Sequence, residues 1–205
     1  MPVESTRRAV ARFVVAAALG FAALALAGCL RVPLGDAEHS KVDGRLVGFW
    51  LEPATSEKGL PAPPEDERTV YCVRRFDGRT YLVTVMRYRT EGGAAAEAIG
   101  TYTHKAWLTE VGGASFMTLE FMDPTDVFMA ERDREWAVLR YELAGDTTAV
   151  RQVAASFAKR AATPKDLARL IRHNLADPAL YEGQPEICRR LTRGEAEQLL
   201  KIFEK

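Results

Sequence analysis

The sequence lacks an excess of charge of either sign, which removes one broad class of function. Its 205 residues carry 28 Lys and Arg against 28 Asp and Glu, a formal net charge of zero at pH 7. Proteins that bind nucleic acids present a basic face that neutralises phosphates, and the Lys and Arg residues here form no such cluster. We therefore expect no nucleic-acid partner.

Residue types that hold metals or perform catalysis are also sparse. The chain has 3 Cys and 3 His, and His39, His104 and His173 lie far apart in sequence. Neither H-x-x-x-H nor C-x-x-C spacing occurs, and no G-x-S-x-G motif marks a nucleophilic serine. The sequence thus predicts a protein that is not an enzyme and that uses no metal or cofactor.

Long hydrophobic runs are absent except for one near the amino terminus. Phe13 to Leu26 are 14 residues without a charge, and Arg7, Arg8 and Arg12 precede them. A helix that crosses about 30 Å of hydrocarbon needs roughly 20 apolar residues. The run is short for a membrane span and is typical of a secretory signal.

The end of this run, Leu26-Ala27-Gly28-Cys29, resembles the lipobox of bacterial lipoproteins. The resemblance implies that residues 1–28 are removed and that Cys29 carries acyl chains, which together form a stable membrane anchor. Leu30 follows the cysteine. A residue other than Asp at this place is similar to lipoproteins that are exported by default to the outer membrane, so we expect the domain to be anchored there and to face the periplasm. An ordinary cleaved signal and an uncleaved single-pass anchor are the alternatives.

The mature chain is predicted to have a short tether and one domain. Residues 29–44 contain Pro33, Gly35 and Gly44 but few apolar side chains, so they predict a lipidated tether. Residues 45–205 form the domain.

Most of the domain alternates apolar and polar residues with a period of two, which is typical of strands. Strands are predicted at 46–52, 68–76, 79–89, 98–111, 115–123, 135–144 and 147–154. Asp77-Gly78 predicts a two-residue hairpin, and the Pro-rich residues 53–67 predict a long loop. Such an antiparallel meander must close or fold over to hide its edges.

Two amphipathic helices are predicted in the tail, about residues 163–205. Thr163-Pro164-Lys165-Asp166 has the pattern of an N-cap followed by Pro at the first helical position. Thr192 and Glu195 have the spacing of a capping box. We expect both helices to pack on the sheet.

Gly48-Phe49-Trp50, in the first predicted strand, resembles the G-x-W signature of lipocalins and related calycin barrels. The resemblance implies an antiparallel up-and-down barrel whose closed end is plugged by Trp50, with Gly48 allowing a tight approach. It also implies an Arg packed over the Trp, for which Arg151 is the candidate. Loop 53–67 parallels the loop at the ligand mouth of lipocalins. The expected fold is therefore mainly β: a lipocalin-like barrel with two C-terminal helices.

The alternating side chains leave two possibilities for the barrel interior. They could fill the interior of a small barrel of about eight strands, or they could line a cavity for an apolar ligand. The balance of large over small residues favours a filled interior. The candidate lining residues are Tyr81, Val83, Met117, Phe121 and Tyr141.

Cys72 and Cys188 remain once Cys29 is assigned to lipid. Outside the inner membrane an oxidising environment permits a disulfide, which would join the helical tail to the sheet. Two separate buried thiols are the alternative.

Two hypotheses for function follow from these features. In the first, the protein is a lipid-anchored envelope protein whose lipocalin-like barrel binds a small apolar ligand such as a lipid or fatty acid. In the second, it is an interaction or assembly lipoprotein with a filled core, in which loop 53–67 or the helical tail docks an envelope protein.

Overall fold

The structure is a computed structural model that describes residues 30–52, 67–90, 96–122 and 136–204. The signal region, the acylation candidate Cys29 and residues 53–66 of the Pro-rich loop lie outside the described residues.

Eight antiparallel strands in the described residues form a closed barrel. Each strand pairs with the next one in sequence, and the last pairs with the first. The strands are β1 (Gly48–Glu52), β2 (Glu67–Arg75), β3 (Tyr81–Arg89), β4 (Glu97–Val111), β5 (Ala114–Phe121), β6 (Trp136–Ala144), β7 (Thr147–Val153) and β8 (Tyr181–Arg190). The predicted up-and-down antiparallel barrel is confirmed, and its first seven strands lie where the alternating pattern placed them.

The eighth strand is a correction, because the sequence analysis left residues 181–190 as a segment between two helices. Only Tyr181 and Cys188 of β8 are buried, and the strand contains Gly183 and Pro185. It therefore lacks the apolar alternation that identifies a strand from sequence. β8 is identified by its pairing instead: it lies between β7 and β1, pairs antiparallel with both and so closes the barrel.

The chain has three α-helices in the described residues of its C-terminal part. Helices α1 (Ala155–Ala158) and α2 (Pro164–His173) lie between β7 and β8 in sequence, and α3 (Arg193–Phe203) follows β8. The predicted start of α2 is confirmed, since the Thr163 side chain accepts a hydrogen bond from the backbone N–H of Asp166. The predicted capping box of α3 is also confirmed, with Thr192 and Glu195 bonding reciprocally.

Both longer helices cover the outer wall of the barrel. Leu167 and Ile171 of α2 are fully buried in one cluster with Phe116 and Val138, which lie on the outer faces of β5 and β6. On the opposite side, α3 packs on the outer faces of β2 and β3; its contacts are Ala196 and Leu199 against Val70, Cys72 and Met86. The inward side chains form a third, separate cluster.

Residues 29–44 were predicted to be a free tether, but the described part of that segment, from residue 30, packs against the barrel together with residues 45 and 46. The backbone of Leu30 pairs with that of Trp136, with N···O distances of 2.7 and 3.1 Å. The Leu34 carbonyl accepts hydrogen bonds from Trp107 Nε1 at 3.0 Å and Thr118 Oγ1 at 2.9 Å. Leu30 and Leu34 are only 2% and 0% exposed. We call residues 30–46 the strap.

The connection at Asp77-Gly78 is longer than the predicted two-residue hairpin. β2 ends at Arg75 and β3 begins at Tyr81. The Asp77 carboxylate accepts hydrogen bonds from the backbone N–H groups of Arg79 and Thr80, both at 2.7 Å. An Asp side chain that satisfies turn donors in this way supports a wider loop.

The two ends of the barrel differ in how the strands are joined. At one end, which we call the closed end, the connections are residues 76–80, 112–113 and 145–146, and a 3-10 turn of the strap, Gly44–Leu46, lies beside them. At the other, the open end, lie Glu52, Glu67, Arg89, Glu97, Phe121 and Trp136, together with the ends of β7 and β8 that residues 154–180 join.

Candidate functional site

Trp50 lies at the closed end of the barrel interior. Its side chain is inward and 3% exposed, and its indole Nε1 donates a hydrogen bond to the Leu46 carbonyl at 2.8 Å. Leu46 belongs to the strap, so this bond fixes the strap to the ring that forms the cavity floor.

Arg190, the last residue of β8, packs over this tryptophan. Its guanidinium carbon lies 4.2 Å from the centre of the Trp50 ring. Nη1 donates to the Val47 carbonyl at 2.7 Å, and Nη2 donates to the Arg45 carbonyl. The planar fork of an Arg is suited to such combined stacking and bonding.

Gly48 leaves room for this guanidinium. Its φ of +142° is unfavourable for other residues, and a Cβ there would lie 2.7 Å from Arg190 Nη1. The Arg151 candidate was wrong: Arg151 lies over the ring of Tyr181, 4.5 Å from its centre. The correct Arg was missed because β8 had not been identified as a strand.

A cavity of about 700 Å³ occupies the barrel interior. It extends from Leu46 and Trp50 at the closed end to Ala137, Gln152 and Glu182 near the open end. The wall is mainly apolar, and its aliphatic part is formed by Val73, Val83, Val85, Met117, Leu119, Leu139 and Val150. The expectation of a filled interior is therefore wrong, because the large inward residues leave this volume between them.

Three of the five predicted lining residues, Val83, Met117 and Tyr141, line the cavity. Tyr81 is fully buried at the closed end, where its hydroxyl donates to the Asp43 carbonyl and accepts from the Asp43 backbone N–H. Phe121 lies at the open end, 44% exposed, with its ring centre 5.6 Å from that of His104.

Polar groups on one side of the cavity were missed by the sequence analysis. Gln152, Gln184 and Glu186 line it on β7 and β8. On β2, Tyr71 lines it and donates a hydrogen bond to Glu52 Oε2 at 3.2 Å. The position of Glu52 could have indicated this polar side of the cavity. Glu52 is two residues after the inward Trp50 in the same strand, so its side chain also points inward.

The environment of this pair shifts its proton affinities. Burial raises the pKa of Glu52, since a charged carboxylate is poorly solvated there. Burial, and then the Glu52 carboxylate, raise the pKa of Tyr71 well above its usual value. The Tyr71 hydroxyl therefore stays protonated and can act as a hydrogen-bond donor.

The two cysteines do not form a disulfide. Cys188 is inward and lines the cavity, whereas Cys72 is outward and packs under α3. Both are buried free thiols. Burial, together with the carboxylates of Glu52 and Glu186, raises the pKa of Cys188 to about 12. A thiol with such a pKa is a poor nucleophile at neutral pH.

Within the described ranges, no group of three or more His, Cys, Asp or Glu side chains is arranged to hold a metal ion. A search of the same residues for helices long and apolar enough to cross a membrane finds none.

Comparison with known proteins adds no relatives. No protein-family model matches the chain, and no curated protein or solved structure matches it.

Proposed function

We propose that this protein is a lipid-anchored bacterial envelope protein whose lipocalin-like barrel binds a small, largely apolar ligand with a hydrogen-bonding end. The observation that carries the proposal is the cavity of about 700 Å³ inside the barrel. Ligand sites are concave, mostly apolar and about 300–1,000 Å³ in volume, with a few placed polar groups. This cavity has all of these properties.

The distribution of lining residues gives the bound ligand a direction. Leu46, Trp50 and Val73 give the closed end a mainly apolar lining, to which Thr148 and Tyr141 add hydroxyl groups. Gln152 and Gln184 lie nearer the open end. An amphipathic molecule would therefore enter with its apolar part toward Trp50 and keep its polar part among the amides, because a buried polar group needs a hydrogen-bond partner.

The lipocalin-like assignment is supported by the closed end. The G-x-W pattern at Gly48 and Trp50, with Arg190 stacked on the indole, reproduces the arrangement that the family resemblance implied. The eight-stranded antiparallel barrel is compatible with it. The alternative, an assembly lipoprotein with a filled core, is disfavoured by the cavity.

A pair of matched variants tests ligand binding. Val150→Phe places a ring in the cavity, whereas Ile187→Phe adds the same ring on the outer wall, where Ile187 is 45% exposed. Titration with a fluorescent single-chain fatty acid and a fluorescent single-chain amine should show saturable binding of at least one probe. Val150→Phe should weaken it at least about tenfold, or ~1.4 kcal/mol, and Ile187→Phe should not. Binding unaffected by Val150→Phe, with both variants folded by circular dichroism, would refute a ligand site in the barrel.

The anchor is tested separately. Cys29→Ser removes the acylation site of the lipobox and should move the protein from the membrane fraction to the soluble fraction, with loss of labelling by an alkyne fatty acid. Density-gradient separation of wild-type membranes should place the protein in the outer-membrane fraction. A Cys29→Ser protein that stays membrane-bound at unchanged size would show that the lipoprotein assignment is wrong.

A further inference from the structure

We propose that the barrel docks on the membrane with its open end, so that the cavity exchanges its ligand directly with the lipid bilayer. This inference rests on the proposed acylation of Cys29, and it adds the orientation of the barrel and the source of the ligand.

The first argument is the position of Leu30, the residue after the acylated cysteine. Its backbone is fixed by two hydrogen bonds to Trp136, the first residue of β6, at the open end of the barrel. Successive Cα atoms are about 3.8 Å apart. Acyl chains on Cys29 would therefore leave the protein at the open end, with no free spacer to hold the barrel away from the bilayer.

The second argument is an apolar rim at the same end. Ile99, Tyr102, Phe121 and Met122, on and next to β4 and β5, are 38–45% exposed; we call these four the apolar rim. The other two exposed large hydrophobic residues in the described part of the chain are Phe76, at the closed end, and Ile187, on the outer wall. Exposed apolar residues clustered in this way mark an interaction surface.

The anchor position and the apolar rim are close together. Trp136 pairs with Leu30 on one side and with Glu120 on the other. Neighbouring strands lie about 4.8 Å apart, so the backbones of Leu30 and Glu120 are separated by roughly 10 Å. Phe121 and Met122 follow Glu120 directly. A lipid surface reached by the acyl chains is therefore also within reach of the rim.

A bilayer suits this surface better than a protein partner. Tyr102 is an amphipathic aromatic residue, a type enriched where membrane meets water. The cavity also reaches this end, through Ala137 and Glu182. An amphipathic ligand dissolved in the bilayer could then enter without crossing water.

The test places an environment-sensitive label at each end of the barrel. Met122→Cys lies in the apolar rim, and Arg79→Cys is at an exposed position of the connection 76–80, at the closed end. Cys72 and Cys188 are buried and should not react in the folded protein. Each variant, purified in its acylated form, is labelled with a nitrobenzoxadiazole maleimide and reconstituted into phosphatidylethanolamine–phosphatidylglycerol vesicles with or without brominated acyl chains.

Membrane docking predicts a blue-shifted label at position 122 that brominated lipid quenches, and a water-exposed, unquenched label at position 79. Equal quenching at the two ends, or quenching at 79 alone, would overturn the orientation. Failure of the acylated protein to float with vesicles would instead overturn the anchor, and the docking with it. A label at 122 that is in water on vesicles but shielded in intact envelopes would assign the rim to a protein partner and overturn membrane docking.

A second pair of variants tests ligand exchange. Phe121→Ser removes a rim residue, and Ile187→Ser removes an equally exposed apolar residue from the outer wall. Phe121→Ser should slow transfer of the fluorescent ligand out of vesicles several-fold and leave its affinity in solution unchanged. Ile187→Ser should change neither. Equal transfer rates in the two variants would refute uptake through the rim.

Discussion

At the residue scale, a single guanidinium connects three parts of the closed end. Arg190 stacks on Trp50 of β1, donates hydrogen bonds to the carbonyls of Arg45 in the strap and of Val47 just after it, and fills the space that Gly48 leaves open. The Trp50 ring and the carbonyls of Arg45 and Val47 would each lose a partner if the Arg190 side chain were displaced. We expect changes here to destabilise the barrel without touching the aliphatic wall.

Gly48→Ala is predicted to lower the free energy of unfolding by about 1–3 kcal/mol, because it combines an unfavourable φ with a clash against Arg190. Urea denaturation followed by circular dichroism measures this. Gly194→Ala, in α3, is the matched control, since no heavy atom lies within 4 Å of the added methyl group. It should instead stabilise by up to about 1 kcal/mol through helix propensity. A Gly48→Ala protein as stable as the wild type would show that neither the backbone conformation nor the Arg190 contact constrains this position.

Glu52→Gln is predicted to stabilise the protein at neutral pH. Burial raises the pKa of Glu52 above its ordinary value of 4.5, so the folded state binds the proton more tightly than the unfolded state. Wild-type stability must then fall as the pH rises through 4.5 toward the raised pKa. Below that window the carboxyl is protonated in both states, and the advantage of Gln should disappear. Urea midpoints at pH 4 and pH 7 for both proteins test this, and a difference independent of pH would contradict it.

At the scale of elements, structure fixed by contacts between residues near in sequence was predictable, whereas structure fixed by contacts between distant residues was not. The caps of α2 and α3 at Thr163 and Thr192 were predictable because their hydrogen bonds span only three residues. β8 and the strap were not, since each is fixed by partners distant in sequence. Leu34, for example, is held by Trp107 and Thr118. The cavity was unpredictable for the same reason: alternation shows which residues face inward but not how well they fill the space.

Leu34→Ala should therefore destabilise the protein by about 2–5 kcal/mol, the usual cost of truncating a fully buried Leu. Lys41→Ala, an exposed position in the same strap, should have an effect within about 0.5 kcal/mol. Thermal or urea unfolding of both variants gives the comparison. If Leu34→Ala were as mild as Lys41→Ala, residues 30–46 would act as a free tether after all.

At the scale of the whole molecule, the barrel wall separates two hydrophobic clusters, one inside the barrel and one outside it, and each contains a cysteine. Cys188 belongs to the interior and Cys72 to the contact with α3. Cys72 is 4% and Cys188 2% exposed, so we expect a water-soluble thiol reagent to reach neither sulfur while the protein is folded. The two therefore report on the cooperativity of the fold.

Ellman's reagent should leave both thiols unmodified in the native protein, and both should become reactive in urea at the midpoint seen by circular dichroism. The raised pKa of Cys188, about 12, adds to its inertness. The Cys29→Ser variant is used so that only these two thiols are counted. A mass that increases on reduction would reveal a disulfide and contradict the arrangement of the two cysteines.

The barrel is joined least extensively between β1 and β8. Two residue pairs connect them, Trp50 with Arg190 and Leu51 with Arg189, against nine between β2 and β3. Residues 50 and 190 are far apart in the chain, so closing this loop is entropically costly and slow. The hairpins from β2 to β7 should form first, and closure should come last. A chain still emerging from the ribosome therefore has no enclosed cavity until β8 has been delivered.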